Sequence, residues 1–182
     1  MRQLRFHSID DAIRELEEIE SSVVETTGLW SLGQIYQHCA INLEHIMSSY
    51  PRILPLFVRR TIGPWAFRSM LKKGYMTEGN INPHAPKVRE EIDFGPELKR
   101  LKANLIKFRN YEGPFPEHPF FGKLSLPEWK TLQSYHLANH LGNIRIIAPK
   151  RGKSERSGQP AGKKGAKKKI VKKTSGKKKA RK

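Results

Sequence analysis

Apolar positions along the chain recur at helical rather than strand spacing. Ile9, Ile13, Leu16, Ile19 and Val23 fall four, three, three and four residues apart, which predicts an apolar helix face from Ser8 to about Thr26. Ser8 suits an N-cap, Asp10 and Asp11 put negative charge in the first turn, and Gly28 suits a stop. A second stripe, Leu32, Ile35, Cys39, Leu43, Ile46 and Met47, begins at the capping box of Ser31 and Gln34 and ends before Pro51. A further helix is expected over Pro55–Lys73, kinked at Gly63-Pro64 and closed by Gly74. Residues 75–93, with two prolines and many polar positions, read as a long connection. Pro96 opens the next helix, whose apolar face is Leu98, Leu101, Leu105 and Phe108. A second capping box, Ser125 with Glu128, opens the last, expected to run to roughly Arg145. No alternating runs flank an Asn-Gly or Asp-Gly turn. The pattern predicts an all-α chain, a four-helix bundle with one extra helix, over residues 1–148.

Charge divides the chain at the same place. Residues 149–182 hold 16 of the 35 Lys and Arg and one of the 17 acids, a net of +15. The preceding residues hold 19 basic and 16 acidic side chains, a net of +3, so the basic character belongs to the tail. That tail has only Ile170 and Val171 as large apolar residues and is expected to be disordered. One cysteine, Cys39, excludes an internal disulfide and any Cys-rich zinc fold, and its place in the second stripe makes it core. The N-terminus turns acidic where a secretory signal would be apolar, and the densest apolar stretch, residues 53–58, is too short to span a bilayer. A cytoplasmic protein is expected. The tryptophans, Trp30, Trp65 and Trp129, are read as packing residues.

Of the seven histidines, His136 and His140 carry the most information. Four residues of helix advance about 400° and roughly 6 Å, so both imidazoles leave one face and can hold adjacent corners of a divalent ion. His38, amid the second stripe, is the best third donor from a facing helix. Three neutral imidazoles leave coordination positions open, as in a catalytic rather than a closed structural site. The plain alternative is three separately hydrogen-bonded core or surface histidines. Gln34, Gln133 and Asn143 are candidate polar neighbours, and His45 shares the His38 face two turns on. No Gly-x-Ser-x-Gly, phosphate-binding glycine loop or His-Glu-x-x-His motif is present.

The start Trp30-Ser31-Leu32-Gly33-Gln34-Ile35-Tyr36-Gln37-His38 resembles the second helix of the DinB-like (DinB/YfiT) superfamily. The run from His118 to Ser125, then Glu128-Trp129 and His136-Leu137-Ala138-Asn139-His140-Leu141, is similar to an uncharacterised subfamily of it. The resemblance covers about residues 5–147. It implies a four-helix bundle binding a divalent metal (zinc, nickel or iron) through His38, His136 and His140. It further implies an activity such as metal-dependent thiol S-transfer or hydrolysis on a small molecule, with a low-molecular-weight thiol as partner. No general base is evident, so the catalytic residues stay unassigned. The loops near His118 and Phe120 would then admit an electrophile. A rival reading makes the bundle a scaffold and the tail the active part, binding DNA or RNA non-specifically through 13 Lys and three Arg without interleaved aromatics. A tail that only solubilises, or that senses anionic surfaces, fits the same composition. A homodimer stays open.

Overall fold

A computed structural model of the chain describes residues 1–77 and 88–150. Among them are six helices: α1 Ile9–Glu20, α2 Leu32–Ile46, α3 Leu56–Arg60, α4 Ile62–Lys73, α5 Phe94–Arg109 and α6 Leu126–Leu141. Two strands, β1 Ser22–Thr26 and β2 Ile144–Pro149, complete the described elements. The expected disorder of the tail concerns residues outside the described ones, as does most of the 75–93 connection.

The helices form where caps and stripes agree. In α1 the Ser8 hydroxyl accepts the Asp11 N–H while Asp11 Oδ2 accepts the Ser8 N–H at 2.9 Å. Ile9, Ala12, Leu16 and Ile19 are buried. Along α2 the expected residues Ile35, Cys39, Leu43 and Ile46 are fully buried, and α5 buries Leu98, Leu101, Leu105 and Phe108. The longest side-by-side packing joins α2 to α5; α1 touches both α5 and α6, and α6 touches α2. Arg100 on α5 grips both carboxylate oxygens of Glu44 on α2, at 2.8 and 2.6 Å. That fork, first among the causes, holds the Glu44 carboxyl below its ordinary range. Trp129, Leu132, Leu137 and Leu141 of α6 close the shared core.

Three expectations need correction. The first helix stops at Glu20, because Ser22-Val23-Val24-Glu25-Thr26 leaves it to pair antiparallel with β2. The register runs from Ser22 opposite Pro149 to Thr26 opposite Ile144, with an irregularity between Val23 and Val24. Consecutive β-branched residues favour the pleated surface over a helix turn. Val23, expected on the apolar helix face, is 50% exposed. Likewise α6 ends at Leu141, four residues before Arg145, since Ile144, Ile146 and Ile147 belong to β2. The fold is therefore mostly helical rather than all-α. The strand carries the folded body to Lys150, whose N–H donates to Ser21 O at 2.8 Å.

The expected single helix over Pro55–Lys73 is two, broken at Thr61. Gly63-Pro64 produces no kink, because it lies in the first turn of α4, where the missing proline N–H has no helical partner to lose. Gly63 is required by close approach, since a Cβ there would stand 2.0 Å from Phe120 O. Among the described residues no helix is long and apolar enough to cross a membrane.

Candidate metal centre

Two capped helices carry the three candidate ligands. At the start of α2, Gln34 Oε1 accepts the Ser31 N–H at 2.9 Å and Ser31 Oγ accepts the Gln34 N–H at 3.3 Å. His38 follows about one turn later on the face turned to α6. At the start of α6, Glu128 Oε2 accepts both the N–H and hydroxyl of Ser125, each at 2.8 Å. His136 and His140 follow on one face of α6, as their spacing dictates.

The facing helices bring the three rings together. Each offers one ligand atom, and those atoms all lie within 4.8 Å of one another. His38 Nε2 and His136 Nε2 are 3.2 Å apart. Ring centroids are 4.4 Å apart for His38 and His140, 4.5 Å for His136 and His140, and 5.2 Å for His38 and His136. Nitrogens bonded to one divalent ion at about 2.0–2.1 Å stand roughly 3–3.5 Å apart, so one pair already has that separation. The cluster can hold a metal ion.

His38 is buried, whereas His136 and His140 keep part of their surface at the edge. Dense packing around the rings nevertheless disfavours their charged forms. Burial, then neighbouring His38, pulls His140 down to about 3. Burial, then His140, His38 and His118, holds His136 well below the ordinary histidine value. Neutral imidazole is the form that binds metal.

Three further side chains hold the cluster in place. Trp30 lies parallel to His140, interplanar angle 8° and centroids 5.6 Å apart, and tilts against His38 at 4.9 Å. Beneath His136, Asn42 Nδ2 is 2.9 Å from Gln133 Oε1 and 3.4 Å from His136 Nδ1. Amide oxygen and nitrogen occupy equivalent positions, so this chain can run either way. In one sense Asn42 donates to His136 Nδ1. With both amides turned over, Gln133 donates to Asn42 Oδ1, which accepts the His136 Nδ1–H and frees Nε2 to bind metal.

Residues 1–146 match the family described as "Protein of unknown function (DUF1569)". The chain belongs to this family. No curated protein matches, and neither does any solved structure. Within this DUF1569 chain, the other candidates take different places. Gln133 joins the site through Asn42, but Gln34 caps α2 and donates to Arg89 O at 3.0 Å. Asn143 donates to Asn139 O at 3.2 Å. His45 lies against Tyr50, centroids 5.6 Å apart. Cys39 is core, as expected, with its thiol pushed up to about 12 by burial.

His118, partly exposed, sits among aromatic rings near His136. Its ring stacks on Phe121 at 4.5 Å and packs against Trp129 at 5.5 Å. The Phe120 and Phe121 N–H groups both donate to its Nδ1, at 3.1 and 2.9 Å, so the ring proton sits on Nε2. Burial lowers this histidine to about 3. His84 lies outside the described residues. Sequence reasoning missed Asn42 and gave Trp30 only a packing role. Asn42 stands one turn after His38 and so had a positional signal; Trp30 precedes the α2 cap, where no periodicity reports on it.

Proposed function

We propose that the body of this protein is a DinB-like four-helix bundle of α1, α2, α5 and α6 that holds one divalent metal on His38, His136 and His140. The observation that carries the reading is the convergence of three ligand atoms within 4.8 Å on two facing helices. Imidazole triads suit zinc, nickel or iron and leave positions for a small molecule. When bound, such an ion lowers the pKa of a thiol or water attached to it and supplies a nucleophile at neutral pH. The reaction class this supports is thiol S-transfer or hydrolysis on a small substrate.

The chain's own residues have separable tasks. Asn42 and Gln133 orient His136 and keep its Nδ1 protonated. Trp30, flat against His140, shields that ligand from water. His136 and His140, partly exposed, mark the side from which a substrate would arrive. Elemental analysis of the purified full chain tests the assignment: about one zinc, nickel or iron per chain is expected. Replacing His136 with Ala should abolish retention while His45→Ala keeps it. A folded wild-type chain that neither retains nor takes up any of the three metals overturns the proposal.

The Lys-rich composition of residues 149–182 favours a second, compatible reading, non-specific binding of DNA or RNA. Affinity for duplex DNA should then fall steeply with salt and disappear when the tail lysines become Gln.

A further inference from the structure

Between Glu44 and Glu78 the sequence contains no acid, but it contains Arg52, Arg59, Arg60, Arg68, Lys72 and Lys73. This stretch includes α3 and α4, and its outward side is unusually apolar. Ile53, Leu56, Phe57, Ile62 and Trp65 are exposed, Phe57 by 66% and Trp65 by 70%. The expectation that Trp65 packs is thus incorrect; Gly63, Phe67 and Met70 form the inward stripe of α4 instead.

The exposed Phe57 and Trp65 lie on either side of the break at Thr61 and are joined through it. Thr61 N–H donates to Phe57 O at 3.0 Å and Trp65 N–H to Thr61 O at 3.4 Å, so Phe57, Thr61 and Trp65 succeed one another at four-residue intervals. Arg68 and Lys72 continue the line at helical spacing, both exposed. Among the described residues Arg52, Arg60, Arg68, Lys72 and Lys73 form no ion pair. Glu117, which approaches this region, is taken by Arg59.

From this we infer that the α3–α4 face is a docking surface for anionic lipid membranes, with Phe57 and Trp65 entering the interface and the arginines and lysines meeting the headgroups. Large apolar residues beside free cations on one helical side are the composition of interfacial helices. A twofold contact between two copies would set this face against itself and bring its uncompensated cations together. Nucleic acid would satisfy the cations, yet it gives the aliphatic Ile53, Leu56 and Ile62 nothing apolar to enter. A lipid surface satisfies both kinds of residue. The basic tail adds attraction to the same negative charge.

Co-sedimentation of the full chain with phosphatidylcholine vesicles, with and without about 30% phosphatidylglycerol, tests this. Binding to the anionic vesicles should exceed binding to neutral ones by at least about tenfold. Because about 0.5 M salt screens the tail, wild type should stay bound there, while the doubly substituted F57E/W65E protein is released. Both residues face outward, so far-ultraviolet circular dichroism should match wild type. Trp65→Phe, tested alone, should remove the blue shift of tryptophan emission on vesicle addition and keep binding. Equal binding of F57E/W65E and wild type at both salt concentrations overturns the inference. So does a wild-type dimer that F57E/W65E dissociates without changing vesicle binding, or an effect of F57E/W65E confined to DNA binding.

Discussion

Asn42 shows how one residue can set the chemistry of the cluster. Its amide lies between Gln133 and His136, and only one orientation leaves the His136 Nε2 lone pair free for metal. Asn42→Leu removes the acceptor for Nδ1–H and should weaken zinc binding by about 10–100-fold, read by competition with a chromophoric chelator. Asn42→Asp supplies a fixed acceptor and should bind at least as tightly as wild type. Equal affinity for all three proteins would show that the amide chain does not orient the ligand. At this scale the sequence was partly legible. His136 and His140 follow from helix geometry, because four residues return to the same face. His38 needed the superfamily resemblance, since no local spacing links it to α6. Asn42 and Gln133 become partners only across two helices, a relation that neither stripe encodes.

At the level of elements, helix starts were more legible than helix ends. Ser8, Ser31 and Ser125 each precede the helix they were expected to cap, because a cap is a local exchange of hydrogen bonds. The ends of α1 and α6 are instead decided by each other, through pairing of β1 with β2 across more than a hundred residues of sequence. Local spacing cannot report such a contact, and Val23 happened to continue the four-and-three rhythm of α1. This difference can be measured. As an exposed strand residue, Val23 replaced by Ala should change stability by no more than about 0.5 kcal/mol, whereas a core helix position would cost more. Ile144, fully buried at the start of β2, should cost about 2–5 kcal/mol as Ala in urea denaturation. The reverse ranking would restore the helical reading. The acid-free stretch over α3 and α4 was visible as sequence, but which of its sides faces outward depends on packing of Gly63 against Phe120 and of Arg59 against Gly122.

For the folded body as a whole, the closely packed histidines link stability to pH. His118 and His140 are lowered to about 3, and His136 is also held well below the ordinary value, in each case chiefly by burial. In the unfolded chain the same groups titrate near the ordinary histidine value, about 6.5. Below that value the unfolded state binds protons that the folded state refuses, so the metal-free protein loses stability as pH falls. Above it all three are neutral in both states, and the contribution is fully present. Each group removes up to about 1.4 kcal/mol per pH unit within this window. Glu44 and Asp11, whose carboxyls are lowered, begin to contribute only nearer the ordinary carboxylate range, so pH 6.5 to about 4.5 isolates the histidines. Urea midpoints of the metal-free chain should therefore drop steadily across that interval. His118→Phe, which keeps a flat ring between Phe121 and Trp129, should make the slope shallower by one group's share. A midpoint constant from pH 6.5 to about 4.5 would mean that these rings accept protons in the folded state. Neutral, metal-ready imidazoles would then not be built into the packing of α2 against α6.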